Sequence, residues 1–61
     1  MNKQSAIQAA VNAVAVATQA ANDYGQGSTE YAAAHTEAKE KVTAARRHGA
    51  TDDDLRNTRP A

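Results

Sequence analysis

Tyr24-Gly25-Gln26-Gly27-Ser28-Thr29-Glu30 is the stretch that decides how this chain folds. Before it, nothing between Ser5 and Tyr24 breaks a helix, and alanine, the strongest helix former, dominates. Gly25 suits the left-handed geometry that ends a helix. Ser28 or Thr29 can cap the next one, with Glu30 near its positive end. Gly25 and Gly27 therefore mark a hairpin turn. A link this short makes two long helices antiparallel neighbours.

Working outward, Asn2 and Ser5 are both good caps for a first helix, predicted over about 5–24. A second helix is predicted over about 29–48. Arg46, Arg47 and His48 close it, where cations suit the negative end of the dipole, and Gly49 follows as the stop. Thr51 then offers another cap, with Asp54 three residues on as an acidic capping-box partner and Ala50 and Leu55 placed as a hydrophobic staple. A short third helix is predicted over about 52–58, anchored by Leu55 and ended by Pro60. The fold class is all-α, with residues 1–61 forming a single small helical domain.

The apolar pattern extends this picture beyond one chain. In the first helix Ile7, Val11, Val14, Thr18 and Ala21 recur at 4,3,4,3, the seam of a bundle. Ala6, Ala9, Ala13, Val16 and Ala20 form a second row beside it, and Gln4, Gln8, Asn12, Gln19 and Asn22 a polar strip. The second helix answers with Tyr31, His35, Ala38, Val42 and Ala45. So wide an apolar arc exceeds what one partner helix covers. Dimerisation into a four-helix bundle is the expected remedy, with Ile7, Val11, Ala13, Val14 and Val16 as the interface. Tyr24 and Tyr31 flank the turn and are expected to pack together. His35 falls at a seam position, where a boundary histidine with a partly solvated ring is expected; facing Thr18 or a second His35 across a symmetric interface is the alternative.

Seven basic and seven acidic residues cancel, so no global field draws in nucleic acid or an anionic membrane. Residues 1–30 hold only Lys3, Asp23 and Glu30, so the first half reads as a packing element. Ala6–Ala21 is too short for a membrane span and is interrupted by Gln8, Asn12, Thr18 and Gln19. A cytoplasmic chain is expected. Without cysteine there is neither a disulfide nor a thiolate metal site. Asp52-Asp53-Asp54 lacks the spacing of a calcium loop, and no Ser–His–Asp arrangement or phosphate-binding glycine loop occurs. No enzyme activity, metal or cofactor is expected.

One constellation is similar to a known motif. Ala44-Ala45-Arg46-Arg47-His48-Gly49-Ala50-Thr51, followed by Asp52–Arg59, resembles the core of a helix-turn-helix. That resemblance implies a second helix entering the major groove, with Asp52, Asp53 and Asp54 at the base-reading positions. Arg46, Arg47, Arg56 and Arg59 would then be the contacts to phosphate.

Three functional readings follow. The first is a homodimeric, non-enzymatic interaction module that binds a partner protein through its helix faces. The second is a nucleic-acid-binding accessory protein using the four arginines. The third is a structural subunit of a larger assembly. Sixteen alanines, and four arginines to three lysines, suit a chain from a bacterium, a phage or a mobile element.

Overall fold

The computed structural model describes residues 2–61. It is all-helical among those residues: α1 spans Lys3–Tyr24, α2 Thr29–Arg47 and α3 Asp52–Asn57. The first two pack as an antiparallel hairpin, and α3 folds back onto α1. Each predicted helix is present, with ends moved by one or two residues for local reasons.

Asn2, not Ser5, caps α1. Its side-chain oxygen accepts from the Ser5 backbone N–H at 2.7 Å, which draws Lys3 and Gln4 into the helix. At the other end Gly25 departs from the expected left-handed helical stop. Its φ of 88° and ψ of 155° place it in the extended mirror region, while its N–H still reaches the Ala21 carbonyl at 2.9 Å. Ser28 then serves both sides of the turn. Its hydroxyl donates to the Gly25 carbonyl at 2.7 Å and accepts from the Tyr31 N–H at 3.1 Å. Thr29 is simply the first residue of α2.

The end of α2 is a Schellman motif. Gly49, at φ 94°, donates its N–H to the Arg46 carbonyl at 3.0 Å, and Ala50 donates to Ala45 at 3.0 Å. Ala50 and Ala45 are both buried in one cluster, which supplies the apolar contact that usually accompanies this geometry. With His48 as the cap residue, α2 stops at Arg47.

The predicted capping box forms at α3. The Asp54 N–H donates to Thr51 Oγ1 at 3.1 Å, and the Thr51 N–H donates to Asp54 Oδ2 at 3.0 Å. That backbone N–H, with the Lys3 ammonium 3.4 Å away, holds the Asp54 carboxyl below the usual aspartate range. A lowered folded-state pKa means stability present above the unfolded value and lost as pH falls through the folded one. Acidification through and below the ordinary aspartate range should therefore loosen α3 before the hairpin. NMR shifts of Leu55 and Thr58 would report this. If they move no earlier than those of Ala38, the box does not hold α3. Thr58 ends the helix in extended geometry, with its hydroxyl donating to the Asp54 carbonyl at 2.8 Å.

The hairpin core is an alanine seam. Ala6, Ala10 and Ala17 of α1 and Ala38 and Ala45 of α2 are buried, Ala10 and Ala45 completely. On α1 this line runs between the two expected rows, so the inward face is turned by about one residue. Side chains this small let two helix backbones approach at the short end of the usual ~8–10 Å spacing. Ile7 and Val11 border the seam and are buried, while Val14 is 45% exposed and Thr18 is exposed. On α2, Ala34 takes the inward place that the 4,3 pattern gives to His35, which is exposed. The pairing of Tyr24 with Tyr31 does not form either. Tyr24 is 62% exposed, and the Tyr31 ring instead meets His35 at 5.6 Å between centroids.

Candidate functional site

The surface that stands out lies where α3 leaves off. Leu55 and Val42, each half-buried, pack on the cluster formed by Ala6, Ile7, Ala10, Val11, Ala45 and Ala50. Beyond Leu55 the cover stops. A groove of about 390 Å³ opens there, walled by Ala10, Val11, Val14, Val42, Leu55 and Pro60. A second groove of about 520 Å³ continues it toward the turn, between Thr18 and Ala21 of α1 and Tyr31, His35 and Ala38 of α2. Val14 and Val42 wall both, so the two make one elongated trough along the hairpin.

The sequence also builds the near end of this trough. Residues 58–61 run back along α1, held by the polar strip there. The Gln8 side-chain amide donates to the Arg59 carbonyl at 2.9 Å and to Asn12 Oδ1 at 2.9 Å, and Asn12 Oδ1 accepts from the Ala61 N–H at 2.9 Å. These contacts bring Pro60 to the trough wall. The sequence marks Gln8 and Asn12 only as members of a polar strip and Pro60 only as a helix stop. The available signal was an i,i+4 amide pair in an otherwise alanine-rich helix.

The five expected interface residues do not share one surface. Ile7 and Val11, expected to face a second copy, lie in the chain's own core beneath α3, at 8% and 9% exposure. Ala13 is half-buried. Val14 and Val16, at 45% and 61%, are the exposed pair. Two residues apart on a helix is about 200° of rotation, so they point to opposite sides of the hairpin.

The arginines are similarly divided. Arg46 is bonded to Asp52 at 2.7 Å, and Arg56 lies 3.8 Å from Asp53. Arg47 and Arg59 have no ion-pair partner among the described residues. Asp52, Asp53 and Asp54 thus point to three different cations, and α3 is six residues long. In the helix-turn-helix resemblance this short, aspartate-headed helix would have to enter the groove, its carboxylates toward phosphate. No described helix is long and apolar enough to cross a membrane.

Compared with protein-family models, with curated proteins and with solved structures, the chain matches none.

Proposed function

We propose that this chain is a small non-enzymatic interaction protein that associates with copies of itself through the Val14 trough. The observation that carries the reading is a valine 45% exposed at the junction of two apolar grooves. In a chain with so few large apolar side chains, an open trough of this kind leaves unburied what a folded chain of this size most needs to bury. The three aspartates weigh against the nucleic-acid reading, because two of them already engage Arg46 and Arg56.

Sedimentation and circular dichroism across concentration, on the wild type and on Val14→Glu, test this. Glutamate is at least as good a helix former as valine, so the variant keeps its fold while placing a carboxylate in the trough. The wild type is expected to associate, and Val14→Glu to weaken association tenfold or more, the equivalent of about 1.4 kcal/mol. A wild type that stays monomeric at every concentration, or a variant that associates unchanged, refutes the proposal.

A further inference from the structure

Resting on that reading, we infer that the occupant of the trough is the opposite face of a second copy, so that chains join head to tail. A closed two-fold dimer would instead place trough against trough. Three observations converge on the head-to-tail arrangement.

The first is the placement of the two exposed valines. Val14 stands in the trough, whereas Val16 projects from the other side of α1 at 61% exposure. Around Val16 the surface is a low ridge. Ala9, Ala13 and Ala20, which form one 4,3,4 row with it, are half-buried. A single valine rising from alanines is a knob.

The second is the shape of the trough. The part beside Leu55, about 390 Å³, is walled by aliphatic side chains, Pro60 and Arg56. That is ample room for one valine and the alanine methyls beside it. The match of an exposed apolar knob to an apolar recess elsewhere on the same molecule defines a heterologous contact.

The third is charge. No carboxylate lines either part of the trough, whereas Lys39 and Arg56 do, Arg56 with Asp53 3.8 Å away. The ridge side carries the opposite balance. Continuing the Val16 row gives Asp23, and the adjoining row of α2, Glu30, Ala34, Glu37 and Lys41 at 4,3,4, supplies two more carboxylates and one cation. Trough against ridge brings Lys39 and Arg56 toward these carboxylates. Trough against trough lacks any such complement.

A head-to-tail contact leaves one trough and one ridge free at the ends, so assembly continues past the dimer unless its rotation closes a ring. Mixing two blocked variants tests this directly. Val14→Glu blocks the trough and keeps the ridge; Val16→Glu blocks the ridge and keeps the trough. By sedimentation velocity the wild type is expected to form species larger than dimers as concentration rises. Each variant alone should be monomeric, with wild-type helicity by circular dichroism, and the equimolar mixture should form a one-to-one dimer and nothing larger. If Val14→Glu loses its helicity, Val14→Gln takes its place in the mixture. Self-association of Val16→Glu as strong as that of the wild type overturns the head-to-tail arrangement while leaving the trough reading intact. So does a wild type that stops at the dimer, or a mixture that stays monomeric. A wild type monomeric throughout overturns both.

Discussion

Ala10→Leu should cost this chain about a third of its stability. Ala10 is fully buried, as is Ala45, within one cluster on the line where the two long helices meet. A leucine there adds three carbons at a point where the helices are held close. The backbones must separate, and every alanine contact along the seam loosens with them. Overpacking of this kind costs typically about 1–3 kcal/mol. A domain of this length is stable by roughly 3–9 kcal/mol in total, at about 0.05–0.15 kcal/mol per residue. Ala33→Leu, at an exposed position of α2, is the matched control, with the same change and no seam to part. Urea titration of both, followed by helicity, decides the matter. If Ala10→Leu unfolds at the wild-type midpoint or above it, the seam is slack.

Gly25→Ala is the second large effect, and its contrast with Gly27→Ala makes it diagnostic. Gly25 holds φ 88° and ψ 155°, a region that side chains other than hydrogen hardly enter, so alanine there costs about 1–3 kcal/mol. A Cβ at Gly25 would meet nothing within 4 Å, so the cost is that of the backbone alone. Gly27 has no positive φ and equally open space. Alanine there narrows the unfolded ensemble without strain and should stabilise by about 0.4–1 kcal/mol. Thermal melts should therefore move in opposite directions, by about 4–8 °C per kcal/mol in a domain of this size. Two shifts of the same sign would mean that the turn is closed in another way.

What could be read from the sequence divides along the range of the interactions. Asn2, Ser28, Thr51 with Asp54, and Gly49 act on backbone groups three to five residues away, and each is used at or beside its expected place. The rotation of the α1 face was not readable. Hydropathy weights valine and isoleucine above alanine, so the pattern points to Ile7, Val11 and Val14. Helix packing rewards the side chain that lets backbones approach, and Ala10 and Ala17 therefore take the centre. The displacement of His35 by Ala34 follows from the same cause. The role of Gln8 and Asn12 was hidden because their partners are backbone groups of residues 59 and 61, which have no side-chain signature. The candidate site was half visible. Val14 was named, but Val42, Leu55 and Pro60 joined it only once α3 had folded back.

The alanine seam has a thermal consequence as well as a geometric one. The heat capacity of unfolding comes chiefly from apolar surface newly exposed to water, at about 0.45 cal/K/mol per Å². Methyl groups facing methyl groups expose little of it when the hairpin opens, less than the same length of helix paired through leucines. Stability should then vary only gently with temperature, with a flat maximum and little tendency to fail in the cold. A protein held together in this way softens gradually on warming.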